Sequence, residues 1–155
     1  MKNFKSNHYI DTTIYLVETI LKNLKTKLRK KIDELGIGIT SEQFVVLDTI
    51  CCEGNMYQEK LSSILMKDKS NMTRILKILV QKDLITKSPQ KINNKLVYKL
   101  DITDEGEKLL NENIPKIKEY ITDIFKHVSD KEVDTLHSIS NTIQNELYKV
   151  DTSHL

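Results

Sequence analysis

The spacing of apolar residues changes near Leu84, and this change restricts the folds that the chain can adopt. In the stretch from Asp68 to Ile85, apolar residues recur at the three- and four-residue steps of one helix face: Met72, Ile75, Leu76, Leu79 and Val80. After it, apolar residues recur at every second position, at Leu96, Tyr98, Leu100 and Ile102. A two-residue repeat is typical of a half-buried strand. The sequence therefore predicts a helix followed directly by strands.

A hairpin completes the second part of this pattern. Ile85 to Ser88 can supply the antiparallel partner of the later strand. The intervening "PQKINNK" is predicted to form an exposed polar tip, because proline and paired asparagines favour turns.

Three predicted helices precede this region. The first runs from Asp11 to about Leu35, ends at two glycines, and has a predicted buried side of Ile14, Val17, Leu21, Leu24 and Leu28. The second begins at a capping box of Thr40 and Gln43 and buries Phe44, Leu47 and Ile50. The third, "MYQEKLSSIL", has Asn55 as its predicted N-cap and Leu61, Ile64 and Leu65 as contacts. Asp68 is the predicted cap of the fourth.

Two further helices follow the hairpin. Thr103 is predicted to cap a helix that runs to about Lys126 with a kink at Pro115, and Ser129 with Glu132 forms another capping box. The last helix carries a heptad-like seam of Leu136, Ile139, Ile143, Leu147 and Val150. The predicted fold is mainly α with a small β-hairpin wing. Because the long terminal helices carry apolar stripes, we expect a second copy to cover them; an intrachain core is the alternative.

Composition places the chain among cytoplasmic single-domain proteins. It has 155 residues, 39% of them hydrophobic, with four glycines and 6% aromatic residues, which favours helices. Cys51 and Cys52 are adjacent and can hardly form a normal disulfide with each other, which fits a reducing cytoplasm. Polar residues interrupt the N-terminal apolar runs, so neither a signal peptide nor a membrane span is predicted.

Signals for catalysis, cofactors and metals are missing from the sequence. The four histidines, His8, His127, His137 and His154, have no ligand spacing. The chain has no Gly-rich phosphate loop, nucleophile elbow or His-Glu-x-x-His motif. We therefore expect neither an enzyme nor a metal or cofactor site.

Positive charge is concentrated around the helix that starts near Asp68. From Lys67 to Lys99 there are nine basic and two acidic residues, a net charge of +7, which leaves −5 for the rest of a chain whose net charge is +2. A solvated lysine-rich face is one explanation, and contact with a polyanion is the other.

The polar face of that helix favours the second explanation. Ser70, Thr73, Arg74, Lys77 and Gln81 follow the helical step opposite the apolar stripe. Two helices with a tight connection, followed by a basic hairpin, make a winged helix-turn-helix, in which the second helix enters the major groove of DNA. Plain packing of an amphipathic helix pair is the alternative.

Three segments resemble the MarR family of bacterial transcription regulators. They are "ITSEQFVVL", "SNMTRILKILVQKDLI" and "LDITDEGEKLL", the last with the Thr-x-x-Gly pattern at Thr103 and Gly106. The resemblance implies a homodimer that binds a pseudo-palindromic operator and responds to a small molecule or an oxidant. The resemblance covers residues 1–155 as a single MarR-like unit. It implies dimerisation helices at 1–35 and 104–155 and a winged-helix DNA-binding lobe at 40–103. The family's wing-tip aspartate and arginine correspond to Asn94 and Leu96, which leaves Lys95 as the nearest cation and implies weaker minor-groove reading.

The candidate DNA-binding residues lie on the fourth helix, the wing and the start of the third helix. Arg74 is expected to contact a guanine edge or a phosphate, with a surface salt bridge as the alternative. Ser70, Asn71 and Thr73 suit phosphates or base edges, or alternatively helix capping. Lys77, Lys91 and Lys95 are expected to contact phosphates, and Asn94 at the wing tip belongs to the same candidate set. Tyr57 and Gln58 are expected to contact backbone phosphates or, alternatively, to be packing residues.

Two regulatory hypotheses and one competing function remain. Cys51 and Cys52 would sense oxidants, or would fill space as buried apolar residues. An effector pocket is expected where the terminal helices meet the winged lobe, with Tyr9, Tyr15, Phe44 and Tyr57 as candidate lining or core residues. A repressor is favoured over an activator. The competing function is a helical protein-interaction module without specific DNA binding.

Overall fold

Helices and one small sheet make up the computed structural model, in which residues 13–54 and 56–152 are described, with side chains up to residue 147. The elements are α1 (Thr13–Glu34), α2 (Ser41–Glu53), β1 (Met56–Tyr57), α3 (Gln58–Ile64), α4 (Lys69–Gln81), β2 (Ile85–Ile92), β3 (Lys95–Ile102), α5 (Asp104–Phe125) and α6 (Asp130–Thr152). The predicted fold class, mainly α with a hairpin wing, is confirmed. The chain divides into two compact units, 1–117 and 118–155.

The sheet is antiparallel, with the strand order β1-β3-β2. The β2–β3 hairpin, residues 85–102, is the wing. Its ladder runs from Ile85 opposite Ile102 to Ile92 opposite Lys95, so the predicted tip "PQKINNK" was too long. Only Asn93 and Asn94 turn the chain, with φ of 49° and 63°, which asparagine tolerates better than most residues. Pro89 is accommodated because β2 is an edge strand.

The predicted start of the third helix was also wrong. Met56 and Tyr57 pair with Leu100 and Lys99 of β3 and form β1, and α3 begins only at Gln58. Tyr57 is its N-cap residue and makes no side-chain capping hydrogen bond. Met56 is fully buried, since β1 adds a third strand to the core side of the wing. Asn55, the predicted cap, lies outside the described residues.

Three predicted helix caps are confirmed. Thr40 and Gln43 form a reciprocal capping box, with N–H to side-chain oxygen distances of 3.3 and 3.0 Å. Asp68 Oδ1 accepts from the backbone N–H of Asn71 at 2.8 Å, and Thr103 Oγ1 accepts from that of Gly106 at 3.1 Å. Each cap satisfies an N–H group that the first helical turn leaves without a partner.

The cap before α6 differs from the predicted capping box in one bond. The backbone N–H and the hydroxyl of Ser129 both donate to Glu132 Oε2, at 2.8 and 2.7 Å. The Ser129 hydroxyl is therefore a donor to the carboxylate. These two hydrogen bonds lower the pKa of Glu132.

The core of the first unit lies between α2, α4 and the sheet. The predicted core residues of α2 and α4 are buried, as is Leu61 of α3: Phe44, Leu47, Ile50, Met72, Ile75, Leu76 and Leu79. Val80 was predicted to be buried but is 40% exposed, because it lies at the flank of the stripe in the last turn of α4. Ile64, Leu96 and Tyr98 are likewise exposed, and the wing buries only its base at Ile85 and Leu100.

The apolar stripes of the terminal helices are exposed within the chain. Ile14, Val17 and Leu21 of α1 are each about half exposed, Leu24 and Leu28 are intermediate, and only Ile32 near the end of α1 is buried. The first half of this side of α1 is therefore not buried within one chain, which agrees with the expectation that the stripe is exposed there, and its cover by a second copy stays a prediction. On α6, Leu136, Ile139, Ile143 and Leu147 are all more than half exposed. The Val150 side chain lies outside the described part.

A tight junction joins α4, the wing and α5. The N–H of Leu84 donates to Leu79 O at 3.0 Å. The N–H of Asp83, whose φ is 56°, donates to Val80 O at 3.0 Å. These two hydrogen bonds form the Schellman pattern of a helix end. The carbonyl of Leu84 accepts from Thr103 N–H at 3.2 Å. A Cβ on Gly106 would clash with that carbonyl oxygen, so the Thr-x-x-Gly pattern has a steric cause.

Gly106→Ala is expected to lower the free energy of unfolding by about 1–3 kcal/mol, because the added methyl must displace main-chain atoms. Urea unfolding followed by circular dichroism measures the effect. Asn111→Ala, at an exposed position of the same helix, is the matched control and is expected to change stability by no more than about 0.5 kcal/mol. Equal stability of the two variants would contradict the steric explanation.

Candidate nucleic-acid interface

The outer face of α4 carries the predicted contact residues together. Ser70, Thr73, Arg74 and Lys77 are exposed, and Asn71 is half-buried next to the N-cap. The opposite face of the same helix is buried in the core at Met72, Ile75, Leu76 and Leu79. Burial on one side fixes the rotation of α4 about its axis and leaves the polar residues to solvent.

Arg74 is held along the surface of α4. Its Nη2 donates to Asn71 Oδ1 at 3.1 Å, one turn towards the N-terminus. Among the described residues, no carboxylate forms an ion pair with Arg74, so the surface salt bridge considered for it is not formed. Four of the five donors of a guanidinium remain when one is used, which leaves the fork available for a bidentate contact.

Several lysines of the basic segment are neutralised locally. Lys67, Lys95 and Lys99 form ion pairs with Glu42, Glu59 and Asp101, at 3.0, 3.2 and 2.6 Å. The pair of Lys95 and Glu59 joins two largely exposed side chains, so it contributes little to stability. Within the described part, the exposed cations of the segment without an ion pair are Lys69, Arg74, Lys77, Lys82 and Lys91. They lie on α4, just after it, and on the wing.

Tyr57, the N-cap residue of α3, and Gln58, its first residue, reach the wing. The Tyr57 hydroxyl donates to Gln90 Oε1 at 3.3 Å. Gln58 Oε1 accepts from Lys87 Nζ at 2.6 Å, and Gln58 Nε2 donates to Thr73 Oγ1 at 3.1 Å. Phosphate contact by Tyr57 and Gln58 stays a prediction, and both side chains are already engaged within the lobe.

Lys87 is a residue that the sequence reasoning missed. Its Nζ lies 4.3 Å from the centroid of the Tyr98 ring, and partial burial lowers its pKa. Lys87 lies two residues after the buried Ile85 and therefore on the same face of β2. A cation at an inward-facing strand position is the signal that would have identified it.

The wing tip presents Lys91 and Asn94 to solvent. Lys91 lies opposite Leu96, which is 60% exposed. Asn94 occupies the second position of the two-residue turn, and Lys95 follows it. The site thus has two exposed cationic elements, α4 and the wing.

A cavity of about 480 Å³ lies between α1 and α2 in the first unit. Its lining combines cations with apolar side chains: Lys25, Leu28, Arg29, Val45, Leu65 and Lys67, with Thr26, Ser41 and Glu42. The lining includes none of the aromatic residues considered for an effector pocket. Phe44 is buried core, Tyr57 contacts Gln90, Tyr15 is exposed, and Tyr9 lies outside the described residues.

Cys51 and Cys52 are both exposed at the end of α2, so the prediction that they act as buried filler is wrong. Burial and the carboxylates of Glu107 and Asp48 raise the pKa of Cys51. Asp48 is the main cause of the raised pKa of Cys52, whose Sγ lies 3.8 Å from Asp48 Oδ1. A raised pKa lowers the thiolate fraction at neutral pH, which opposes reaction with oxidants.

Asp48→Asn in a Cys51→Ser background is expected to lower the pKa of Cys52, because the carboxylate that disfavours the thiolate is removed. The rate of reaction with a disulfide reagent, measured against pH, reports this shift: the midpoint moves down and the rate at neutral pH rises. Glu59→Gln in the same background serves as the control and should leave the midpoint unchanged. An Asp48→Asn profile that coincides with its parent would contradict the assigned cause.

Metal sites and membrane-spanning helices are two further features to consider in residues 13–54 and 56–152. No group of three or more His, Cys, Asp or Glu side chains there is arranged to hold a metal ion. None of the helices in these ranges has the length and apolar character needed to cross a bilayer.

Comparison with known proteins agrees with this geometry. Residues 39–97, which run from the start of α2 into the wing, match the model of the MarR family. The chain is 28% identical over 124 residues to the uncharacterized HTH-type transcriptional regulator YpoP of Bacillus subtilis (strain 168), covering 79% of this chain and 87% of the relative.

Solved structures share the fold. A mutant MarR from E. coli complexed with operator DNA superposes with a TM-score of 0.76 at 21% identity, covering 89% of this chain and 99% of that one. CouR from Rhodococcus jostii RHA1 bound to p-coumaroyl-CoA gives 0.76 at 15% identity, covering 89% and 95%. The similarity to the MarR family model thus covers residues 39–97, and the fold is shared with these two solved structures over 89% of the chain.

Proposed function

We propose that the chain binds operator DNA through the outer face of α4, with the wing on the flanking backbone. The observation that carries this proposal is the exposed face of Ser70, Thr73, Arg74 and Lys77, on a helix whose other face is fixed in the core. A helix of this kind fits the major groove, and Arg74, whose guanidinium is exposed, is the residue proposed to read a guanine edge. Lys77 and Lys91 supply phosphate contacts, because they are exposed and have no ion pair within the described part, and Lys95 adds one when a phosphate replaces its exposed partner Glu59.

The regulator acts as a homodimer. Two continuous apolar stripes are exposed, formed by Ile14, Val17 and Leu21 on α1 and by Leu136, Ile139, Ile143 and Leu147 on α6. Stripes of this length exceed the scattered single apolar residues of an ordinary surface, and a second copy is the partner that would cover them. Two copies present two α4 helices, which suits two half-sites about one helical turn apart in a pseudo-palindromic operator.

A small-molecule signal is the proposed input, and repression in the bacterial cytoplasm the proposed output. The cavity between α1 and α2 supports an input site, since cationic and apolar groups line it together. CouR, whose solved structure shares this fold, is bound to p-coumaroyl-CoA in that structure. The raised pKa values of Cys51 and Cys52 make oxidant sensing the weaker input. We assign no catalytic role to any residue.

Arg74→Ala is expected to lose about 1–3 kcal/mol of discrimination between a duplex selected from a random pool and random DNA, because a base contact is removed. Lys77→Met should instead weaken both duplexes alike and reduce the salt dependence, log Kobs against log salt, by about one per protomer. Fluorescence anisotropy over a salt series measures both effects.

Lys116→Met is the control, since Lys116 is an exposed lysine of α5 outside the basic segment. Its binding should equal that of the wild type. A wild-type affinity that does not change with salt would contradict the proposal and favour the interaction module. An Arg74→Ala variant with unchanged discrimination would remove Arg74 from the base-reading role.

Replacement of both Ile139 and Ile143 by Glu is expected to convert the dimer to a monomer while helicity is retained, because four carboxylates would be buried in the covered stripe. Size-exclusion chromatography with light scattering gives the mass, and circular dichroism the helix content. Ser138→Glu, exposed on the opposite face of the same helix, is the matched control and should stay dimeric. A monomeric wild type would contradict the proposed assembly.

A further inference from the structure

Two consecutive side-chain hydrogen bonds, which we call the Lys87–Gln58–Thr73 link, have no role in the function proposed above. The link starts at Lys87 in β2, passes through the side-chain amide of Gln58 at the start of α3, and ends at Thr73 on the outer face of α4. Its two hydrogen bonds measure 2.6 and 3.1 Å. The link therefore joins the wing to α4 through residues that are far apart in sequence.

We propose that Lys87 and Gln58 are positioning residues that hold the wing in register with α4, and that Lys87 itself does not contact phosphate. This inference rests on the proposed DNA-binding function and adds to it the residues that set the spacing between its two cationic elements.

The surroundings of Lys87 support this role. Its ammonium group lies between the Gln58 amide oxygen and the face of the Tyr98 ring, whose centroid is 4.3 Å away. Both contacts are favourable for a cation, and partial burial strengthens them relative to solvent-exposed pairs. By contrast Lys91, four residues along the same strand, is exposed.

Gln58 is committed at both ends. Its amide oxygen accepts from Lys87 and its amide nitrogen donates to Thr73, whose hydroxyl in turn donates to Lys69 O at 2.7 Å. Since each end of the amide has one partner of the correct type, the link has a defined direction and orientation. Loss of either partner leaves the amide free to rotate.

The residues on either side of Gln58 reinforce the link. Tyr57 contacts Gln90 of β2, and Glu59 forms an ion pair with Lys95 of β3. These two contacts are exposed, whereas the Lys87 to Gln58 bond is partly buried. The partly buried bond should therefore dominate the order of the wing.

The test compares Lys87→Met, Gln58→Leu and the double variant in the full-length protein. Hydrogen exchange of the β2 and β3 amides should speed up in each, while exchange in α2 stays unchanged. Affinity for the selected duplex should fall about two- to tenfold, since the wing must then be ordered on binding. The slope of log Kobs against log salt should not change, and the double variant should lose no more than the larger single loss.

Two comparisons complete the experiment. Lys91→Met should lower the salt slope by about one per protomer and leave wing exchange unchanged. Lys87→Arg keeps a cation and its donors and should restore wing exchange towards that of the wild type. Gln58→Leu breaks the same link from the α3 side, so the test survives if Lys87→Met does not fold.

Three results would overturn the inference: a salt slope for Lys87→Met as low as that of Lys91→Met, unchanged wing exchange, or additive losses in the double variant. Failure of the proposed function is distinguishable from these. It would appear as wild-type DNA affinity independent of salt, and wing exchange would still decide whether Lys87 and Gln58 order the wing.

Discussion

The carbonyl group of Leu84 is the point on which the arrangement of α4 and the wing depends. It closes the junction where α4 ends and β2 begins, accepts from Thr103 N–H, and lies against Gly106 at the start of α5. The Thr103 hydroxyl also donates to Asp83 O at 2.6 Å. Because three elements meet through main-chain atoms, the direction in which α4 leads into the wing is set by backbone geometry. Exposed side chains can then vary without changing that direction.

The junction fixes only the base of the wing, which leaves its outer part to other contacts. From Pro89 to the turn at Asn93 and Asn94 the hairpin extends beyond the core, and Leu96 beside the tip is 60% exposed. A two-stranded ribbon without a packed face has little stability of its own. Contacts from Tyr57 and the first two residues of α3 replace that missing core. Gln58 contacts Lys87 near the base, Tyr57 contacts Gln90 further out, and Glu59 contacts Lys95 near the tip.

Local patterns made most of the helices predictable, and long-range contacts account for the errors. The caps at Thr40, Asp68 and Thr103 each involve residues three apart, so the sequence contains both partners. β1 was missed because two residues show no periodicity, and it exists only through pairing with β3. Whether the apolar stripe of α1 is exposed depends on which element packs against it, and the periodicity of the α1 sequence does not contain that information. The site face of α4 was predictable from its helical step, whereas the partner of Lys87 lies 29 residues away.

Charge is distributed unevenly in the winged lobe, and this affects both proposed roles of its side chains. The end of α2 collects carboxylates around the cysteines, with Asp48 and Glu53 on α2 and Glu107 on α5. Exposed cations without ion pairs lie instead on α4 and the wing. In the proposed binding mode, a phosphate backbone would be attracted by the second region and repelled by the first, which would orient the lobe on approach to DNA. Burial and the carboxylates raise the pKa of Cys51, and Asp48 is the main cause of the raised pKa of Cys52, so the charge pattern that suits the proposed DNA contact on α4 also disfavours the thiolate forms of both cysteines.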